Sequence, residues 1–206
     1  MNNLDITAAV TQLGSWPDET YQWLHQYPEL SMAETETCNF IEKQLQDFGY
    51  QTEIIGGGVV GILQNGTGKT TLFRADMDGL PVREETGLAY ASTITRRDRD
   101  GNEVPAMHAC GHDVHITAGL GAARVLAEHR DSWSGTHIAL FQPSEETAEG
   151  AKSMIEAGLV ERIPRPDVAF GQHVLTGPMP AGSVGTHIGA ILSTGASLKI
   201  TLHGKG

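Results

Sequence analysis

A chain of 206 residues is long enough for one substantial core and too short for several full-sized domains, which commonly hold about 100 to 200 residues each. Asp and Glu outnumber Lys and Arg by 25 to 14, and the resulting net charge of −11 opposes binding to nucleic acid or to an anionic membrane. Two cysteines, Cys38 and Cys110, cannot build a disulfide framework, and the sequence has neither a basic leader with an apolar core nor a run of about 18 apolar residues, so a soluble cytoplasmic protein is expected.

Helical spacing over Glu19 to Tyr27 ends at Pro28, which has no amide to donate. Ser31 and Glu34 form a capping-box pattern ahead of a second helix, whose Phe40, Ile41, Leu45 and Phe48 share a face until Gly49. Val59 to Gln64 and Thr70 to Asp76 read as strands, and Asn65-Gly66-Thr67-Gly68 between them predicts a hairpin. Gly68-Lys69-Thr70 is not a phosphate loop, because Leu63 stands where that motif needs glycine. Arg96 to Asp100 reads as a solvated loop reversing near Asp100-Gly101. A helix follows from His115 to His129, with Ile116, Leu120, Ala123 and Ala127 on one face, then a strand from His137 to Phe141. A helix from Ala148 to Ala157 ending at Gly158, and strands over Asp167 to His173, Ser183 to His187 and Ser197 to His203, complete an α/β alternation. The final strand runs into a glycine-rich turn with nothing to pair with afterwards, so the chain reads as cut short.

Chemistry concentrates in His108-Ala109-Cys110-Gly111-His112-Asp113-Val114-His115. A lone cysteine or histidine is more often a packing residue, but this density of thiol, imidazole and carboxylate favours a divalent metal. In extended chain the Cys110-x-His112 spacing puts both side chains on one side, and Gly111 lets the backbone bend around an ion. Glu145 and Glu146 follow the apolar strand Ile138 to Phe141; one can bind an ion while the other takes a proton from water, although a solvated acidic pair opening a helix is the simpler reading of that segment alone. His173 ends another strand, and Asp76 and Asp78 end a third, where Asp78 could orient an imidazole ligand and both could equally cap a turn. Taken together, these strand ends describe a hydrolytic metal centre.

Tyr27-Pro28-Glu29-Leu30-Ser31, Arg74-Ala75-Asp76-Met77-Asp78-Gly79-Leu80-Pro81, Met107-His108-Ala109-Cys110-Gly111-His112-Asp113, Gln142-Pro143-Ser144-Glu145-Glu146 and Gly171-Gln172-His173-Val174 occur in this order. From about residue 21 onward the chain resembles the M20 metallopeptidase family, in its amidohydrolase branch of hippurate hydrolases, N-acyl-amino-acid aminoacylases and auxin-conjugate hydrolases. The resemblance implies a zinc-peptidase-like α/β domain with a mixed twisted sheet flanked by helices. Residues 1–190 would be the N-terminal part of that catalytic domain and residues 191–206 the start of an inserted α+β lid and dimerisation domain. It implies Cys110, His112, Glu146 and His173 as ligands to one or two divalent ions (Zn, Mn, Ni or Co), with Cys110 bridging, Glu145 as general base and Asp78 in support. Asp76 stands where related peptidases carry a metal-binding histidine. The implied reaction splits an N-acyl amino acid into a carboxylic acid and an amino acid in a homodimer; a dipeptidase of the same family and a non-catalytic metal-binding protein are the alternatives. The family's last histidine ligand and a lid histidine lie beyond these residues, so the 206 residues alone are expected to bind metal weakly and to be inactive. Arg96 to Glu103 looks longer than the usual connection.

Overall fold

The computed structural model describes residues 4–177, 180–191, 195 and 198–205. The chain divides into two units, Met1–Val174 and Leu175–Gly206.

In the first unit, three helices (α1 Ile6–Gln12, α2 Trp16–Gln26 and α3 Thr35–Asp47) precede strands β1 (Gln51–Ile55), β2 (Gly58–Asn65) and β3 (Thr70–Asp76). A short hairpin, β4 (Thr95–Arg97) and β5 (Glu103–Pro105), leads to the long helix α4 (His112–Glu128). Strand β6 (Gly135–Gln142), helices α5 (Gly150–Glu156) and α6 (Leu159–Arg162), and strand β7 (Val168–Gly171) follow. The five-stranded sheet has the order β1-β2-β6-β3-β7, with β1, β2 and β6 antiparallel and β6, β3 and β7 parallel. The expected mixed α/β architecture is therefore observed.

Strand alternation builds a core on each face. Val59, Leu63, Ala75, Ala139 and Phe141 bury against Ile41 and Leu45 of α3 and Ile116, Leu120 and Ala123 of α4. Their neighbours Val60, Ile138 and Leu140 face the other way and pack with Ile55 and Met154. A strand apolar on both faces belongs in the middle of a sheet, and β6 is such a strand. This is why the predicted β2–β3 hairpin does not form: β6 lies between them, with Leu140 paired to Val60 on one side and Arg74 on the other. The Asn65 to Gly68 turn reverses the chain without choosing the pairing partner. The true hairpin joins β1 to β2 across Gly56 and Gly57, whose φ values of 56° and 87° suit a two-residue turn.

The capping box is also replaced by tertiary contacts. Glu34 occupies the N-cap of α3 without a side-chain cap bond; its Oε1 instead accepts the Ser144 N–H at 2.7 Å, and Ser31 Oγ donates to Asp78 Oδ2 at 2.6 Å. Glu29 supplies the missing service, accepting the Thr37 N–H at 2.7 Å. The reversal expected near Asp100-Gly101 is present between β4 and β5, but the segment is more than solvated loop, since Arg96 donates to Pro28 O and to Glu36, each at 2.9 Å.

In residues 175–205 none of the described residues forms a helix or strand. The expected strand Ser183 to His187 is absent, and residues 198–203 of the other are not in a ladder; Ser197 lies outside the described residues. Val184, Leu198 and Leu202 are exposed. An alternating apolar pattern becomes a strand only where a neighbour takes its backbone hydrogen bonds. No helix among the described residues is long and apolar enough to cross a membrane.

Candidate metal centre

Because β6, β3 and β7 are parallel and adjacent, their C-terminal ends open on the same edge of the sheet, with Asp76 paired to Gln142 and Arg74 to Gly171. Ligand sites of open α/β sheets gather at such ends. Asp78 follows β3, Glu145 and Glu146 follow β6, and His173 follows β7. Helix α4, packed across β3 and β6, brings His112 to the same edge as its first residue.

Cys110, His112 and His173 each offer a donor atom within 4.8 Å of the other two, and His112, Glu145 and Glu146 do the same. All five sequence candidates for ligand and base thus meet around His112. The route differs from the extended Cys110-x-His112 strand expected from spacing. Gly111 adopts a left-handed conformation, φ 81°, as the N-cap of α4, which starts at His112 and not at His115. His108, which the sequence groups with this cluster, belongs to neither set; it is buried, and burial lowers its pKa to about 4.

Asp78 organises the centre. Its Oδ1 faces His112 Nδ1 at 3.2 Å and accepts the Glu145 N–H at 3.1 Å; its Oδ2 accepts the Glu146 N–H at 3.1 Å as well as the Ser31 hydroxyl. One buried carboxylate therefore places the proton of His112 on Nδ1, frees Nε2, and anchors the backbone of both glutamates. Burial opposes its ionisation, but the bonds from His112, Ser31 and the two amides outweigh that and hold its pKa below the usual carboxylate range. Asp76 is held down to about 2: burial raises it, while the hydrogen bond from His115 and the charges of His112 and Arg74 prevail.

The donor atoms left over fit a divalent cation. Among the described residues the buried side-chain nitrogens and oxygens without a hydrogen-bond partner are both ring nitrogens of His108, His112 Nε2 and Glu146 Oε1; the last two lie 3.8 Å apart, with Glu145 Oε2 also 3.8 Å from His112 Nε2. Burial and then the charge of Glu146 push the Cys110 thiol up to about 11, and burial raises Glu146 as well. Groups that resist ionisation together are those a cation converts to ligands, because its charge reverses the local electrostatics. Thiolate, imidazole and carboxylate are a donor set for zinc and its first-row neighbours.

Sequence reasoning left out Ser31 as a partner of Asp78 and gave no role to His115. His115 lies inside the His108–His115 cluster, so its position was visible, but its bonds to Asp76 and Val174 cross 39 and 59 residues of chain.

The pattern that defines peptidase family M20/M25/M40 matches residues 72–205. The chain belongs to this family. It is 37% identical to thermostable carboxypeptidase 1 of Saccharolobus solfataricus over 96% of this chain and 48% of that protein. It is 40% identical to N-acetyl-L-cysteine deacetylase of Bacillus subtilis over 89% of this chain and 42% of that protein. Of solved M20 structures, Bacillus subtilis YXEP, described as a dinuclear metal binding peptidase, superimposes with a TM-score of 0.66 at 32% identity, covering 81% of this chain and 44% of that one. The chain spans about half the length of the curated relatives it matches.

Proposed function

We propose that the whole protein is a metal-dependent amidohydrolase that cleaves N-acyl amino acids to a carboxylic acid and a free amino acid. The observation carrying this reading is the pair of buried, unpartnered atoms His112 Nε2 and Glu146 Oε1 beside a second carboxylate, that of Glu145. Cys110, His112, Glu146 and His173 would hold one or two divalent ions, and bound metal supplies Lewis acidity and a water of lowered pKa. Glu145 is the general base: its side chain is 39% exposed against 20% for Glu146, so it stays open to water and substrate. Its carboxylate accepts a proton from the attacking water and returns it to the leaving amine nitrogen. Asp78 acts by position, holding His112 and the Glu145–Glu146 backbone.

The family membership and a relative named for N-acetyl-L-cysteine support an N-acyl amino acid as substrate, and the relative named a carboxypeptidase keeps peptide substrates as the second reading. Residues 1–190 as the N-terminal part of the catalytic domain, residues 191–206 as the start of a lid, assembly as a homodimer, a cytoplasmic location and zinc or manganese as the ion belong to the same proposal, and rest on the family resemblance and composition. The test is Glu145→Gln in the whole protein, assayed on acetyl-, benzoyl- and indoleacetyl-amino acids and on dipeptides with metal content measured in parallel. Turnover of the acyl-amino acids should fall by about 10²- to 10⁴-fold while metal stays bound. Faster turnover of dipeptides by the unaltered protein would favour the peptidase, and no turnover at all a metal-binding protein.

A further inference from the structure

We infer that Asp76 and His115 form a positioning pair that fixes His173 through the backbone of Val174, an inference that rests on the metal-centre reading above. Asp76 Oδ1 lies 2.5 Å from His115 Nδ1, and the Val174 N–H donates to His115 Nε2 at 2.9 Å. An amide N–H needs a nitrogen with a free lone pair, so Nε2 is bare and the ring proton sits on Nδ1, donated to Asp76. Both side chains are buried, at 1% and 0% exposure. Arg74 Nη1 holds the other oxygen, Asp76 Oδ2, at 2.7 Å, and its Nε and Nη2 reach Gln142 Oε1 at 3.0 and 2.9 Å, which ties the pair to the end of β6.

On the far side of the same residue, the Val174 carbonyl accepts from His173 Nδ1 at 2.6 Å, leaving His173 Nε2 directed at Cys110 Sγ, 3.5 Å away. Val174 is thus gripped at its N–H by His115 and grips the imidazole of His173 with its C=O. Its side chain closes over Gly111, where a Cβ would stand 2.4 Å from Val174 Cγ2. Strand β7 ends at Gly171, so these contacts, and not the ladder, place His173. Asp76, His112 and His115 also have donor atoms within 4.8 Å of one another and could be mistaken for a metal triad. Both nitrogens of His115 are already engaged, which makes it a support for a ligand and not a ligand.

Two variants separate its two bonds, because a glutamine amide reaches the place of Nε2 and an asparagine amide that of Nδ1. His115→Gln can still accept the Val174 N–H; His115→Asn can still donate to Asp76 but loses Val174. In the whole protein loaded with Co(II), the readouts are cobalt affinity by chelator competition and the thiolate-to-cobalt absorption band of Cys110. Hydrogen exchange of the Val174 amide in the metal-free protein is a readout independent of the ion. His115→Asn should lose about 10- to 100-fold in cobalt affinity together with protection of Val174, and His115→Gln should recover most of both. Unchanged affinity and protection in His115→Asn overturn the inference, and so does the loss of one bound cobalt per chain in both variants, which would make His115 a ligand. Nitrogen NMR of the unaltered protein tests it without any variant: the Nδ1–H tautomer supports it and the Nε2–H tautomer overturns it. If the unaltered protein gives no thiolate band, the metal-centre reading fails, while the tautomer and the Val174 amide still decide the contact.

Discussion

Asp78 shows how one side chain organises four other residues. Its carboxylate accepts hydrogen bonds from Ser31 Oγ, His112 Nδ1 and the amides of Glu145 and Glu146. Asparagine has one acceptor oxygen where Asp78 has two, and its amide would face donors with donors. Asp78→Asn should therefore weaken metal binding by about 10- to 100-fold, and chelator competition would measure it. It should also destabilise the fold by about 1–3 kcal/mol for each donor left unpaired, read from denaturant unfolding. That Asp78 matters was legible from its place at a strand end. Its partners were not, because Ser31 looks like a helix cap in the local pattern and becomes a partner of Asp78 only when β3 comes alongside the start of α3.

At the level of elements, the loop after β6 carries the two glutamates in a conformation its own residues do not favour. Ser144 and Ala148 have φ of 51° and 57°, a region that costs a non-glycine residue about 1–2 kcal/mol. The loop is held by the Ser144 N–H on Glu34 and by the amides of Glu149 and Gly150 on Ser144 O, both at 3.2 Å. Gly150, the first residue of α5, makes this closure possible, since a Cβ there would lie 1.6 Å from Pro143 O. Gly150→Ala should destabilise the protein by about 1–3 kcal/mol in thermal or denaturant unfolding and lower metal affinity by displacing Glu146; an unchanged midpoint would contradict the close packing. Helices α2 and α3, the body of α4, and strands β2, β3, β6 and β7 could all be read from their periodicity. Strand β1 was missed although Gln51 to Ile55 before Gly56-Gly57 is a strand-and-turn signal, and α1 was missed because its seven residues carry little pattern.

Across the molecule, long-range polar contacts also set how stability responds to pH. His137 of β6 is buried, and among the described residues its ring is partnered by Tyr50 Oη, at 2.9 Å from Nδ1, while Tyr50 donates to Ala123 O of α4 at 3.1 Å. Burial lowers the pKa of His137 from 6.5 to about 4. Between those values the unfolded chain binds the proton and the folded chain does not, so this histidine's contribution falls as pH drops from 6.5 toward 4, by about 3 kcal/mol in full. Relative to a His137→Gln variant, the unaltered protein should lose stability over that window in denaturant titrations; parallel curves would show that the ring is not buried neutral. Sequence by itself determined the donor types, the strands and helices that carry them, and the family, because thiol, imidazole and carboxylate chemistry belongs to the residue and periodicity to the local chain. Only the tertiary structure decided that β6 separates β2 from β3, that Ser31 and Glu34 leave their cap for Asp78 and Ser144, and that His115 serves Val174. Each of those choices joins segments remote in the chain, and competition for burial and for hydrogen-bond partners is resolved only once the whole sheet has assembled.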